Sequence, residues 1–245
     1  MVFNRETKRI QRDRSSIDIE ESRKVDYLKD EIAYRMVDRL LDIKRKFNTI
    51  VDLGSGCGHI IKHVDKDVMK KLIMCDISSK MLERDKDINY EVDVERIVVD
   101  EELLPFDDNS LEAVLSNLSL HWNIVSTCRI GKRRWNFTKS IPDDQYTRHC
   151  MFELIQDLRS MGESNAVLTR RPFLKRDTLL SASAIYKELY GNPDGSVPAT
   201  FQIIYMIGWK PDVSQPKPLS RGSGQVSLKE TLKGGDGKSN KSNDN

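Results

Sequence analysis

The chain has 245 residues, of which 38% are apolar and 32% charged, with a net charge of +2 and a mean hydropathy of −0.54. Such a length and apolar share support one sizeable α/β domain with appendages. No run approaches the roughly 18 apolar residues of a spanning helix, which excludes that form of membrane insertion. The charge is uneven, +4 over residues 123–150, +2 from Pro211 onward and −4 elsewhere, so nothing suggests a whole-domain nucleic-acid footprint.

The first residues, "MVFNRETKRIQRDRSSIDIEE", are basic but are interrupted by Glu6 and Asp13 and contain no apolar core. Neither a secretory signal nor an acid-free mitochondrial presequence is expected there. Val25, Leu28, Ile32, Met36 and Leu40 recur at steps of three and four, which predicts a helix over 24–46 and a helical segment over 1–47.

"NTIVDLGSGCGHIIKHVDKDVMKKLIMCDISSKMLE" then alternates a strand (49–53), a glycine turn, a helix through Ile60, Ile61, Val64 and Val68, a strand (72–75) and a second helix start. This βαβ alternation predicts a parallel, doubly wound sheet. A third strand ending at Asp100 and a fourth in "LEAVLSNL" follow, so residues 48–122 read as the cofactor-binding half of the domain. Cys57, Cys75, Cys128 and Cys150 form no CxxC pair and no zinc-ribbon spacing, which favours a reducing compartment.

Gly54, Gly56 and Gly58 alternate straight after the first strand, where glycines let the backbone approach a ligand and free amides at a helix start can donate to it. The dinucleotide fingerprint needs a small residue where this chain has His59, which weakens an NAD reading. Asp52 places a carboxylate beside the turn, suited to a cationic amine. Asp76 ends the second strand where a carboxylate accepts ribose hydroxyls, and Asp100 with Glu101 supplies acceptors at the same sheet edge. Together these describe a pocket for an adenosine bearing a charged amino-acid tail.

Residues 123–150 break the pattern. They carry no strand or helix periodicity in "GKRRW" and "PDDQYTRHC" and are expected to be an atypical junction, left by an altered transcript or gene model that skipped coding sequence and put unrelated translation in its place. A solvated loop, or a basic loop with Trp135, Phe137 and Tyr146 for stacking on nucleic acid, are the alternatives. Residues 151–160 and 175–190 read as helices and 199–209 as a final strand, giving a C-terminal part over 151–210. About half of residues 211–245 are Gly, Pro, Ser or Asn, which predicts a disordered tail.

"VDLGSGCGHI", "CDIS" and "VDEELLPFDDNSLEAVLSNLSLHW" resemble the class I S-adenosylmethionine-dependent methyltransferase fold, in the branch of the malonyl-carrier-protein O-methyltransferases. More narrowly, "FNRETKRIQRDR", "DYLKDEIAYRMVDRLLDI", "FELIQDLRSMGESNA" and "DGSVPATFQIIYMIGWK" are similar to the mitochondrial complex I assembly factors described as arginine hydroxylases. The resemblance implies a doubly wound α/β sheet, here incomplete after its fourth strand. It implies S-adenosyl-L-methionine held by Asp52, Gly54, Ser55, Gly56, Gly58, Asp76, Ile77, Asp100, Glu101, Ser116 and Asn117. It further implies a matrix-side protein of the mitochondrial inner membrane, peripheral at most, that hydroxylates an arginine on a complex I subunit or assembly intermediate and binds no nucleic acid. An O-methyltransferase acting on a carrier protein or small carboxylic acid, and an inactive variant, are the alternatives.

No catalytic residue is assigned and no metal is expected. His59 and His63 stand one helical turn apart, a spacing that can place two metal ligands on one face, but no third ligand is fixed by spacing and a solvated face is the simpler reading. His121 and Trp122, after the fourth strand, are candidate substrate contacts, and Asp26, Tyr27 and Leu28 a candidate lid.

Overall fold

The computed structural model describes residues 2–43, 45–122, 136–137, 144–171 and 173–208. They lie in one compact unit, Met1–Gly208. The predicted disordered tail and most of the junction lie outside the described residues.

Three helices open the chain. In α1 (Arg5–Ser15), Asn4 caps the start by accepting from the Thr7 amide, and in α2 (Ile19–Lys24) Asp18 does the same for Glu21. Side chains at this position satisfy amides that no helical carbonyl can reach. α3 (Tyr27–Leu41) buries Leu28, Ile32 and Leu40 of the predicted stripe together with Ala33 and Val37, while Met36 is half-buried; the helix expected over 24–46 is interrupted at Val25 and Asp26 and ends at Leu41.

The sheet is parallel, in the order β3-β2-β1-β4, built from β1 (Phe47–Leu53), β2 (Met69–Asp76), β3 (Asp93–Val98) and β4 (Ala113–Leu115). In β1, Ile50 pairs with Leu72 on one side and Ala113 on the other. Neighbouring residues face opposite ways in a strand. Ile50 therefore joins Leu40, Phe47, Met69, Leu72 and Leu82, while Val51 joins Leu53 and Cys75 on the other face. The carboxyl ends of β1 and β2 converge on Asp52 and Asp76, so the topology puts both at one edge.

The helix expected through Val68 is instead a 3₁₀ turn, Ile60–His63. Val64 already has extended geometry, and the Asp65 carboxylate accepts from the amides of Asp67 and Val68. That side-chain turn competes with the helix and hands the chain to β2. A short helix α4 (Ser79–Glu83), capped by Ser78, leads back toward β3.

Two of the strands fall within the junction. β5 (Asn136–Phe137) pairs antiparallel with β8 (Met206–Ile207), and β6 (Asp144–Arg148) with β7 (Val197–Phe201). The expected final strand is thus split by residues 202–205. β6 is a strand that the sequence concealed: it is only five residues long, and its Tyr146 packs between Tyr27 and Phe201. α5 (Met151–Ser160) and α6 (Arg176–Tyr190) lie where the periodicity predicts.

α6 buries no residue completely, and Leu180, Ile185, Leu189 and Ile204 are exposed. Two-stranded ribbons are marginal alone. We expect purified protein to melt near ambient temperature in a thermal scan; one cooperative transition well above it would contradict this expectation.

Candidate active site

The edge where β1 and β2 end is the candidate site. The Asp52 side chain is 0% exposed, and both its oxygens lack a hydrogen-bond partner. Burial, followed by the Asp76 charge, pushes its carboxyl up to about 8. A buried acceptor without a donor is costly, and such orphans mark where a ligand belongs. Ser55 Oγ and Asn117 Oδ1 are orphaned in the same way. The Asn117 amide donates to the Lys29 carbonyl and the Ser116 hydroxyl to the Leu53 carbonyl, which fixes both at the end of β4.

The glycine turn forms the wall. Its Gly54 and Ser55 amides both donate to the Cys75 carbonyl, tying it to β2. Gly54 has φ +71°, and a Cβ there would collide with Ser119. Over Gly56 nothing lies within 4 Å of where a Cβ would stand. The Gly54→Ala protein is expected to lose about 1–3 kcal/mol from that collision. A shift of its urea midpoint measures the loss.

Asp76 is fully buried and accepts from the Gly56 amide at 2.9 Å and the Ser78 amide at 2.8 Å. Ile77, between them in the chain, is half-buried. Glu101 is also buried, and burial, partly offset by Arg12, raises its pKa. The predicted acidic residues therefore share one edge.

That edge is covered by helix α1. Arg12 donates to Asp76 Oδ2 at 2.5 Å and lies 3.8 Å from Glu101; Arg5 donates to Asp100 at 2.9 Å and pairs with Glu101. Lys8 completes the row, at 2.8 Å from Glu163 and 3.6 Å from the centroid of the Trp122 ring. Residues 5, 8 and 12 lie on one helix face. The N-terminus is fixed there by Asn4, whose amide donates to the Ala166 carbonyl, and by Leu168, which donates to Val2.

These cations and Glu163 are the site residues that sequence reasoning missed. The i, i+3, i+7 spacing of Arg5, Lys8 and Arg12 was a signal; nothing in the sequence paired them with particular carboxylates. Of the two candidate substrate contacts, Trp122 donates from Nε1 to Glu163 at 2.8 Å and His121 lies 3.8 Å from the same carboxylate. Tyr27 and Leu28 of the expected lid pack instead in a core cluster with Met161 and Tyr205.

His59 and His63 do not converge: His63 stacks edge-on with Tyr34. Among the described residues, Asp26, Asp30 and His59 could hold a metal ion. Their charges already have partners, with Asp30 at 2.7 Å from His59 and 2.9 Å from Lys62, and Asp26 at 2.5 Å from Arg84.

The residues fit an adenosylmethionine-type ligand at one end. The orphaned Asp52 carboxylate suits its ammonium group, and the open space over Gly56 admits its tail. At the other end, Arg12 holds the carboxylate that a ribose would use.

A methyltransferase-domain family matches residues 50–130. The zebrafish "Arginine-hydroxylase NDUFAF5, mitochondrial" is 36% identical over 291 positions, covering 95% of this chain and 90% of that protein. Since 291 positions exceed the 245 residues here, the relative carries at least 46 residues within the aligned stretch that this chain lacks. A malonyl-[acyl-carrier protein] O-methyltransferase of Halorhodospira halophila is 25% identical, covering 74% of this chain and 81% of that protein. Among solved structures, the plantazolicin methyltransferase BpumL in complex with SAH is 13% identical with a TM-score of 0.35, covering 78% of this chain and 93% of that one. The parallel sheet, the glycine turn and the likeness to the zebrafish protein lead to one conclusion: the chain belongs to the family of the mitochondrial arginine-hydroxylase NDUFAF5, on a class I methyltransferase fold.

Proposed function

We propose that this protein is an assembly factor for mitochondrial respiratory complex I that binds S-adenosyl-L-methionine at the Asp52 and glycine-turn cradle and hydroxylates an arginine of a complex I subunit. It works on the matrix side of the inner membrane, and no helix among the described residues is long and apolar enough to cross it. The observation that carries the cofactor reading is Asp52, a fully buried carboxylate with two unsatisfied oxygens beside an open glycine turn. Asp52 would hold the ammonium group, Asp76 the ribose, and Glu101 with Asp100 the adenine side. Ser55, Gly54, Gly56, Gly58, Ile77, Ser116 and Asn117 would shape the walls. A bound sulfonium cofactor supplies an activated methyl group and a positive charge beside these carboxylates.

The test is mass spectrometry of an arginine-containing complex I subunit after aerobic incubation with the protein, S-adenosyl-L-methionine and a two-electron reductant, so that dioxygen can supply one oxygen atom to the arginine and the other to water. Gain of one oxygen atom on an arginine supports the reading. Gain of a methyl group with release of S-adenosylhomocysteine would replace it with methyl transfer. A second reading, an inactive variant that only binds partners, is favoured by one observation: Arg5 and Arg12 occupy the carboxylates that a cofactor would use. Retained partner binding without cofactor binding would select it.

A further inference from the structure

Glu163 is the hub of the α1 interface. Its side chain is only 18% exposed, yet Lys8, Trp122 Nε1, Lys29 at 3.7 Å and His121 at 3.8 Å all surround it. Burial opposes its charge, but His121, Lys29, Lys8 and Arg12 hold its carboxyl well below the usual range. The Lys8 ammonium is held between the Glu163 carboxylate and the Trp122 ring face, and also donates to the Gly162 carbonyl at 2.7 Å.

An anionic carboxylate joined by a hydrogen bond to an indole, with the indole face and the carboxylate both turned to one cation, is a cation-binding cage. Its occupant here is the chain's own lysine, 1% exposed. Burial lowers the Lys8 pKa to about 7 against the pull of Glu163, so this position holds its charge at a cost. The cage adjoins the glycine cradle: the Trp122 amide donates to the Ser119 carbonyl, and the Ser119 side chain stands where a Gly54 Cβ would go.

We propose that Trp122 and Glu163 form the receiving site for the guanidinium of the substrate arginine, with Lys8 as an internal stand-in that leaves when substrate enters. This rests on the arginine reading above. A guanidinium fits better than an ammonium because its planar fork can take both Glu163 oxygens while its face stacks on the indole. Trp122 and Glu163 are thereby substrate-binding residues, and Lys8 a displaceable guard.

The test uses Nα-acetyl-arginine methylamide as probe, with the lysine analogue as control. In the wild-type full chain, saturating arginine probe should raise acetylation of Lys8 by acetic anhydride at least fivefold, read on the Lys8 peptide by mass spectrometry, while the lysine analogue should do so less. By calorimetry, Lys8→Met should bind the arginine probe at least tenfold more tightly than wild type, and adding Glu163→Gln should remove that gain. Unchanged Lys8 labelling in wild type, or a folded Lys8→Met protein with no gain in affinity, overturns the proposal. The two readings separate cleanly. A probe that exposes Lys8 without any oxidation of the partner's arginine keeps the cage and removes the activity, and an oxidised arginine with no probe effect does the reverse.

Discussion

Replacing Asp52 with asparagine is expected to raise the melting temperature of the cofactor-free protein at pH 8 while abolishing its affinity for S-adenosyl-L-methionine. The carboxyl is buried without a partner, and its pKa of about 8 lies above the unfolded value near 3.9. Between those values the folded state holds a proton that the unfolded chain releases, so stability is fully present below about pH 4 and falls as pH rises toward 8. At about 1.4 kcal/mol per unit, the native form is several kcal/mol worse off by pH 8. Asparagine cannot ionise and escapes that penalty. Calorimetric melts of both proteins should differ little at pH 4 and strongly at pH 8. A variant that melts lower at both pH values and still binds cofactor would refute the assignment of Asp52 as the ammonium partner.

The second large effect is at Arg12. Its guanidinium is buried against Asp76 and Glu101. Arg12→Ala leaves Asp76 buried without a counter-charge, while Glu101 keeps Arg5, and removing one partner of a buried pair costs about 3–5 kcal/mol. On the proposed cofactor reading the balance changes, because ribose hydroxyls would compete with Arg12 for Asp76. A ligand that must displace Arg12 in the wild type meets no such competitor in the variant. The cofactor-free variant should therefore melt lower than wild type, and its melting temperature should rise more than that of wild type on adding S-adenosylhomocysteine. An equal or smaller rise would mean that Arg12 does not compete with the ribose.

Most of the cofactor half was legible because its signals are local. The alternation of β-branched strands with glycine and acidic residues places Asp52 and Asp76 at strand ends before any tertiary contact is known, whereas the third strand, expected to run to Asp100, stops at Val98 and leaves Glu101 in the turn beyond it. α3 and α5 were legible for the same reason, since their apolar stripes repeat at helical spacing. The 3₁₀ turn at Ile60–His63 was not, because Asp65 hydrogen-bonds to its own backbone and that short-range competition leaves the apolar spacing unchanged. β6 was hidden by its length and by Tyr146, whose burial depends on Tyr27 and Phe201 from far along the chain. The cover of α1 was hidden for a different reason. Opposite charges 64 to 155 residues apart, such as Arg12 with Asp76 and Lys8 with Glu163, meet only once the sheet has brought them together.

Calorimetric titration of the purified full chain with S-adenosyl-L-methionine, beside Asp52→Asn, decides whether this shortened member of the family carries the proposed cofactor site. One saturable site is expected in the wild type and none in the variant. A folded wild-type chain that takes up no cofactor, or a variant that binds it equally well, would contradict this expectation.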